Sequence, residues 1–407
     1  MGLAVIGATL DGASVGLRCD DGLIAAIGPG VEAETGDEVI DGAGLALIPG
    51  LVNGHTHAGM TLFRGYADDL PLMEWLTEHI WPVEKRMSDD DVYWGTRLAC
   101  LEMIRSGTVR FWDMYWHADA AARAVEDAGL RAVAAAPLID DADPAKSERA
   151  CSDADRSIER IVEAGGELAE PGLAPHAIYS VSADSLRWVA ARAAELDIPV
   201  QIHLSETEQE VHDCVAATGK RPAAYLDEVG VLGPGTVLAH GVFLDPSELE
   251  LIAERGATVV TNPVANMKLA VGGVFPYRSA RERHVAVGLG TDGPGSNNSL
   301  DLLADAKAFA LGQKALAGDP AAITAAETLA IASGQRAPFL RGPGGAPLEA
   351  GSPADFLLIW AGAPELTPGD LVANLIYAAS GSVVDTTVVA GRALMRGRSV
   401  EGAEEVV

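Results

Sequence analysis

The chain has 407 residues, 48% of them hydrophobic and 21% charged, which is the composition of a folded globular protein and excludes a disordered one. This length predicts about two domains. The formal net charge of −29 repels phosphate groups, so we expect neither a nucleic-acid partner nor docking on anionic membranes.

The N-terminus and the cysteines indicate the compartment. The first 14 residues lack a basic region followed by an apolar run, so we expect no secretory signal. No apolar run approaches the ~18 residues needed to span a bilayer. Four cysteines, at positions 19, 100, 151 and 214, show no paired spacing and are typical of reduced thiols. We therefore expect a cytoplasmic protein.

Both ends of the chain are rich in short β-type stretches. Asp-Gly pairs at 11–12, 21–22 and 41–42 separate apolar runs, which is a strong local signal for hairpins. Near the other end, residues 354–360 are a strand candidate, and residues 390–392 are a turn candidate within 385–394. We expect residues 1–48 and 345–407 to form one small β-sandwich domain together.

The middle of the chain alternates between apolar runs that end in polar residues and helical stretches such as 119–129 and 182–196. The eight runs are 45–57, 108–113, 132–139, 172–176, 198–203, 236–240, 258–262 and 285–292. Strands that alternate with helices in this way predict an α/β fold, a (β/α)₈ TIM-type barrel. We assign it to residues 49–344, as the catalytic domain.

Several of these strand candidates end in a side chain that can bind a metal: His55 and His57, His203, His240, and Asp292. In a parallel barrel the carboxyl ends of all strands open onto one face, so these groups would converge there. His55 and His57 are two residues apart and leave a strand on the same side. Imidazoles with one carboxylate suit zinc and leave a position for water.

Each of these groups also has an ordinary explanation when it is taken alone. The His-x-His pair is common by chance, and Asp292 lies in an Asp-Gly turn. Glu206, three residues after His203, fits the first turn of a helix capped by Ser205 or Thr207. Their shared position at strand ends favours a common site, with Glu206 as an adjacent proton carrier.

Further motifs carry a resemblance that covers nearly the whole chain. They are residues 49–57 (PGLVNGHTH), 63–72 (FRGYADDLPL), 75–76, 80–84 (IWPVE), 203–207 (HLSET), 262–263, 266–269 (NMKL) and 290–298 (GTDGPGSNN). In them the chain resembles the amidohydrolase superfamily, and within it the 5′-methylthioadenosine/S-adenosylhomocysteine deaminases. The metal motifs are shared with cytosine, guanine and triazine hydrolases, whereas the stretch from 67 to 84 is more specific to the adenosine branch.

The resemblance implies a role for each matching position. His55, His57, His203 and Asp292 would bind one divalent ion per subunit, zinc by preference, although iron and manganese also fit. Catalysis would fall to Glu206, His240 and Asp292. The substrate residues would be Glu84 at the ribose, His176 at the base and Trp81 as a wall, with Ser296 beside them. Trp81 could instead be plain core and His176 a structural histidine.

Two departures from related sequences bear on the reaction. Residues 173–179 (LAPHAIY) lack the lysine that bridges two ions in dinuclear members, which favours a mononuclear site and deamination. Ala136 stands where members that bind a homocysteine carboxylate tend to have a basic residue, and Arg149 in the following loop is an alternative partner. The 5′ substituent is therefore left open.

The sequence thus predicts a hydrolytic deaminase of adenosine-type nucleosides that forms the inosine analogue and ammonia with a metal-activated water. Its partner would be a small nucleoside, and the subunit number is open, a homo-oligomer included. Alternatives are a free-base deaminase for cytosine, guanine or an oxidised purine, a triazine hydrolase, or a two-metal ring-amide hydrolase. From another class, an inactive zinc-binding scaffold remains.

Overall fold

The computed structural model describes residues 2–342 and 348–407. The strands are β1 (Leu3–Leu10), β2 (Ala13–Asp20), β3 (Leu23–Gly28), β4 (Glu38–Asp41), β5 (Leu45–Pro49), β6 (Leu51–Thr56), β7 (Thr108–Met114), β8 (Arg131–Ala135), β9 (Pro137–Leu138), β10 (Ala169–Pro171), β11 (Ala174–Pro175), β12 (Val200–Leu204), β13 (Thr236–His240), β14 (Thr258–Thr261), β15 (Ala286–Leu289), β16 (Phe356–Trp360), β17 (Val384–Val389), β18 (Arg392–Arg396) and β19 (Ser399–Val400).

The helices are α1 (Leu72–Glu74), α2 (Trp81–Glu84), α3 (Asp89–Ser106), α4 (Ala118–Ala128), α5 (Ser147–Ala164), α6 (Ala183–Leu196), α7 (Glu208–Thr218), α8 (Pro222–Glu228), α9 (Pro246–Arg255), α10 (Pro263–Lys268), α11 (Tyr277–Glu282), α12 (Leu302–Ala317), α13 (Ala325–Ala332), α14 (Pro338–Arg341), α15 (Leu371–Tyr377) and α16 (Ala403–Val406). Short 3₁₀ turns lie at Ala58–Phe63, Pro144–Lys146, Pro364–Leu366 and Gly381–Val383, and a π-helix lies at Trp75–Ile80.

Two of the three Asp-Gly pairs make the expected hairpins. Asp11 and Gly12 have φ angles of 49° and 80°, so both occupy the left-handed region required by a two-residue turn that joins antiparallel β1 and β2. The pair 21–22 joins β2 and β3 in the same way. The expectation for 41–42 is wrong, because β4 runs parallel to β1 and does not pair with β5.

The two ends of the chain meet in one sheet, with the strand order β19-β18-β17-β16-β5-β1-β2-β3 and β4 beside β1. The junction is antiparallel, and Leu47 of β5 lies opposite Leu358 of β16. Leu17, Phe356 and Leu358 belong to its buried apolar cluster. The expected domain boundary between residues 344 and 345 lies outside the described residues.

The strands of the middle pair in parallel in three groups: β6-β7-β8-β10, β9-β11 and β12-β13-β14-β15. Hydrogen bonds join these groups edge to edge. The Gln201 N–H donates to the Leu173 carbonyl at 2.9 Å, which links β12 to the segment before β11. The Asp292 N–H donates to the His55 carbonyl at 3.0 Å, which links the end of the last parallel strand to the first.

The first of the eight strand candidates, 45–57, is two strands in two sheets. β5 belongs to the terminal sheet and β6 to the parallel set. The break falls at Gly50, where a Cβ atom would lie 2.4 Å from the Val109 side chain. A residue with a side chain would therefore collide with β7, and the apolar pattern alone does not reveal this change of partner.

The helices that flank the parallel strands begin and end at the expected signals. α6 starts after Ser182, whose hydroxyl accepts the Ser185 N–H at 3.3 Å, and α4 ends at Gly129 with a φ of 78°. Both confirm the helices predicted at 182–196 and 119–129. Within residues 2–342 and 348–407 no helix is long and apolar enough to cross a membrane.

Apolar side chains from the parallel strands share a second buried cluster with α14. It includes Val52, Val133 and Val260, and Leu340 of α14 belongs to it. The Trp112 indole N–H donates to the Leu340 carbonyl at 3.1 Å, which fixes α14 against β7. Polar groups at the carboxyl ends of the same strands build the site.

Candidate metal centre and its cavity

Four side chains from three distant parts of the chain converge at the carboxyl ends of the parallel strands. His55 lies in β6, His57 one residue after it, His203 in β12, and Asp292 three residues after β15. One ligand atom from each lies within 4.8 Å of those from the others. The fold therefore brings together the four residues that the sequence predicted as metal ligands. Their side chains can hold a metal ion.

The three histidines are held in one tautomer. An oxygen accepts a hydrogen bond from each Nδ1: the Gln201 side-chain oxygen for His55 at 3.1 Å, the Met114 carbonyl for His57 at 2.6 Å, and the His176 carbonyl for His203 at 2.7 Å. Since the proton sits on Nδ1, the Nε2 lone pair of each ring is free to bind a cation. The Nε2 of His55 is buried without any hydrogen-bond partner, as a metal ligand would be.

Asp292 supplies the charge at this point. Its Oδ1 lies 3.4 Å from His55 Nε2 and 3.1 Å from His57 Nε2, and its Oδ2 accepts the Ser296 hydroxyl at 2.6 Å. Burial opposes the ionised form, but the adjacent His55 and His57 imidazoles hold the pKa of the Asp292 carboxyl well below its usual range. Three imidazoles and one carboxylate are a donor set that fits a divalent transition-metal ion.

Glu206 and His240 lie beside these ligands without belonging to them. The distance from His240 Nδ1 to the Glu206 carboxylate is 3.7 Å, and the same Nδ1 donates to the Asn266 side-chain oxygen at 2.8 Å. Burial, and then the negative charge of Asp292, raise the pKa of Glu206 to about 8. Glu206 therefore carries a proton at neutral pH and can donate it.

The loop that carries Glu206 is fixed from behind by Glu210. The two Glu210 carboxylate oxygens accept the Ser205 and Glu206 N–H groups, each at 2.8 Å. Ser205 has a φ of 51°, in the left-handed region that is unfavourable for a serine. Such a backbone conformation persists only where the surrounding contacts fix it. Thr207, rather than Ser205, caps α7, since its hydroxyl accepts the Glu210 N–H at 3.1 Å.

A cavity opens over the metal ligands. Its lining includes His57, Met60, Leu72, Trp75, Leu76, Trp81, Glu84, Tyr115, Trp116, His176, Tyr179, His203, Glu206, His240, Leu269, Asp292 and Ser296. Apolar and aromatic side chains with a few convergent polar groups are typical of a small-molecule site.

Two further polar groups of the cavity lining are Glu84 and His176. Burial raises the pKa of Glu84, and one of its oxygens accepts the Trp116 indole N–H at 3.2 Å. Burial lowers the pKa of His176 to about 3, so its ring is neutral, and its Nδ1 shares a hydrogen bond of 2.8 Å with Ser180.

The comparison with known families decides which class of enzyme this is. The model of the amidohydrolase family matches residues 46–394. The chain belongs to the amidohydrolase family. It is accordingly a hydrolytic enzyme with the α/β content of that family.

Relatives named for a specific activity are similar to this chain over most of its length. A 5′-deoxyadenosine deaminase of Methanoregula boonei is 48% identical over 370 residues, which are 91% of this chain and 84% of the relative. A 5-methylthioadenosine/S-adenosylhomocysteine deaminase of Archaeoglobus fulgidus is 42% identical over 92% of this chain and 88% of the relative. The structure of an adenosine deaminase from Xanthomonas campestris with bound zinc has a TM-score of 0.92 at 34% identity, over 99% of this chain and 95% of the other.

Two residues that were expected to bind substrate, Ser296 and Arg149, differ in their location relative to the cavity. Ser296 lines the cavity, but its hydroxyl is engaged by Asp292. Arg149 does not reach the cavity, because the segment that carries it is helix α5 and not a loop. The side chain is 90% exposed and lies 3.7 Å from Asp153 one turn on, while α5 buries its other face, which includes Ile158.

Three positioning residues of the site were missed by the sequence analysis. Gln201, Asn266 and Glu210 bind His55, His240 and the backbone before α7. Gln201 and Asn266 stand inside or beside the quoted motifs, which was the only available signal. Glu210 occupies the third position of α7 after the Thr207 cap, so its pattern predicts a local capping box rather than a support for Glu206.

Proposed function

We propose that this amidohydrolase is a hydrolytic deaminase of adenosine-type nucleosides with a modified 5′ carbon, and that it releases the inosine analogue and ammonia. The observation that carries the proposal is the buried carboxyl of Glu206 beside the metal ligands, in the same cavity as the Glu84 carboxyl. The activities that the relatives are named for support the same substrate class.

We assign the chemistry to two domains and one ion. The parallel strands, with their helices, would close as a (β/α)₈ barrel over residues 49–344, and the terminal strands, 1–48 and 345–407, would form a β-sandwich. His55, His57, His203 and Asp292 would hold a single zinc ion. The relative with bound zinc, and the lack of a lysine at 173–179, support this assignment.

The chain's own residues move the protons of the reaction. When bound, the ion supplies an acidified water, since coordination to zinc can bring the pKa of water down to about 7. His240 orients the attacking water, and Asp292 accepts its proton. Glu206 protonates the ring nitrogen next to the amino-bearing carbon, which lets that carbon be attacked. The proton held by Asp292 then passes to the amino group, which leaves as ammonia, and the new hydroxyl returns a proton to Glu206 as it becomes the carbonyl.

The walls of the cavity select a nucleoside. Glu84 would accept hydrogen bonds from the ribose hydroxyls, because its carboxyl lines the cavity. His176, neutral at physiological pH, would contact the base, and Trp81 would close one side. Arg149 has no part in this assignment, so we expect no side chain of α5 to hold a 5′ tail.

A substrate screen tests the proposal. Ammonia release is measured with 5′-deoxyadenosine, 5′-methylthioadenosine, S-adenosylhomocysteine, adenosine, adenine, guanine and cytosine on the zinc-loaded protein. We expect 5′-modified adenosines to give the highest kcat/KM. Glu84→Gln should lower kcat/KM for these nucleosides, while free bases stay poor substrates. Turnover of free bases alone would overturn the proposal and favour a base deaminase.

A further inference from the structure

A polar cluster outside the catalytic group joins three walls of the cavity. Lys268 Nζ donates to Asp68 Oδ1 at 2.6 Å and to the Gly295 carbonyl at 3.2 Å, and it also contacts the Asn298 side-chain oxygen. The Asn298 amide donates to the other Asp68 oxygen at 3.0 Å. Asp68, Lys268 and Asn298 form the group that we call the polar clasp.

Each member of the clasp belongs to a segment that lines the cavity. Asp68 lies in residues 64–84, which we call the covering segment and which supply Leu72, Trp75 and Glu84 to the cavity wall. Lys268 ends α10, and the next residue, Leu269, lines the cavity. Asn298 lies in the same loop as Asp292 and Ser296.

The covering segment depends on its contacts to keep its shape. Trp75–Ile80 is a π-helix between two very short α-helices, and such local departures from the α-helix occur often at functional sites. Ala67 and Asp69, on either side of Asp68, have φ angles of 55° and 64°, in the left-handed region. Trp75 packs on Gly295, where a Cβ atom would lie 3.1 Å from the indole ring.

The clasp is built as a unit rather than as a chance surface pair. The side chains of Lys268 and Asp68 are only 25% and 29% exposed, and hydrogen bonds from Lys268 and Asn298 lower the pKa of the Asp68 carboxyl. Because Asn298 is bonded to both partners, the geometry of the pair is fixed. An ion pair of this exposure adds little to global stability, so its loss would act locally.

We propose that Asp68, Lys268 and Asn298 are positioning residues that hold the covering segment over the nucleoside cavity and thereby place Trp75 and Glu84 against the substrate. The inference rests on the proposed function for its kinetic consequence alone. The clasp touches neither the reacting atoms nor the metal ligands, so it governs substrate binding more than the chemical step.

Kinetics of charge variants test the clasp. For Lys268→Gln and Asp68→Asn we expect KM for the best nucleoside to rise about tenfold, while kcat and zinc content stay within about twofold. The reversed pair Asp68→Lys with Lys268→Asp should restore part of the lost affinity, since the Asn298 amide can serve either polarity while the Gly295 carbonyl loses its donor. An unchanged KM, a loss confined to kcat, or a reversed pair no better than the single variants would overturn the proposal.

Amide hydrogen exchange gives a readout that does not need turnover. In Lys268→Gln, exchange should rise in residues 64–84 and stay unchanged elsewhere. The matched control is Arg192→Gln, which breaks a 2.7 Å ion pair to Asp155 at 25% and 34% exposure, between α5 and α6. Exchange at 64–84 that rises equally in the control, or in neither variant, rejects the clasp. If no nucleoside is turned over, the proposed function is wrong. The exchange measurement still tests whether the polar clasp holds the covering segment.

Discussion

At the scale of single residues, the site separates the tasks of binding an ion and moving a proton. The metal ligands offer Nε2 and carboxylate atoms to one point, whereas Glu206 stands beside them with a proton of its own. A carboxylic acid that is protonated near neutral pH is well matched to general acid catalysis. Two variants test the two tasks independently.

Glu206→Gln removes the proton carrier and keeps the volume of the side chain. We expect kcat to fall about 10²–10⁴-fold, the contribution of a general acid or base, while the metal stays bound. Ammonia release and metal content are measured on the same preparation. A variant with near-normal turnover would show that another group delivers the proton.

Gln201→Leu removes the oxygen that accepts the hydrogen bond from His55 Nδ1. Without it the ring can rotate or adopt the other tautomer, so we expect metal affinity to fall about 10–100-fold. Chelator competition measures the affinity. Gln313→Leu is the matched control: this glutamine is also buried, and it donates to the Phe275 carbonyl at 2.9 Å and not to a metal ligand. Equal losses in both variants would point to general destabilisation.

At the scale of elements, the sequence analysis succeeded where the information is local. Two Asp-Gly hairpins and helices α4 and α6 depend on residues a few positions apart, and all four were found. The hairpin predicted at 41–42 was wrong because β4 pairs with β1. Paired residues of these two strands are some 35 positions apart in the chain. The break at Gly50 was missed for the same reason, since Val109 imposes it.

The same distinction divides the site. The metal ligands were predictable because each polar residue at a strand end can be recognised in the sequence by itself. Parallel pairing of the strands then brings these residues together. Arg149 was misplaced because its segment continues as a helix whose exposed side carries it. Gln201 and Asn266 act only through rings contributed by other strands, and their role becomes visible once those strands are adjacent.

The loop before α7 gives a pH dependence of stability. Burial raises the pKa of Glu210 from 4.5 to about 8, although the N–H groups of Ser205 and Glu206 pull it down. Because the folded state holds this proton more tightly than the unfolded state, the contribution to stability is full below about pH 4.5 and is lost as pH rises to about 8.

We therefore expect the unfolding free energy to decline more steeply with pH in the parent protein than in Glu210→Gln. Urea unfolding at several pH values between 5 and 9 measures both slopes. Identical slopes would mean that Glu210 is ionised in the folded state throughout this range. The comparison is made at constant ionic strength, since the net charge of −29 adds its own dependence on salt.

At the scale of the whole molecule, side chains of several parallel strands share a buried apolar cluster, to which α14 contributes Leu340. Leu340 is completely buried, and its Cδ1 would be 3.1 Å from a Cβ at Gly54, the residue before His55. Leu340→Ala should cost about 2–5 kcal/mol of stability. Leu316→Ala, at a side chain 62% exposed, should cost less than about 0.5 kcal/mol. Denaturant midpoints decide, and similar shifts in both would contradict this packing.

The bond between the Asp292 amide and the His55 carbonyl has one more consequence. The earliest and latest members of the parallel set meet at the very residues that would grip the ion, and Thr56 adds a second tie to the Asp292 carbonyl across 236 positions of chain. An ion there would act as a rivet across this seam. Removal of the ion should let the first and last parallel strands separate at this edge first, so the stability of the fold would depend on metal occupancy.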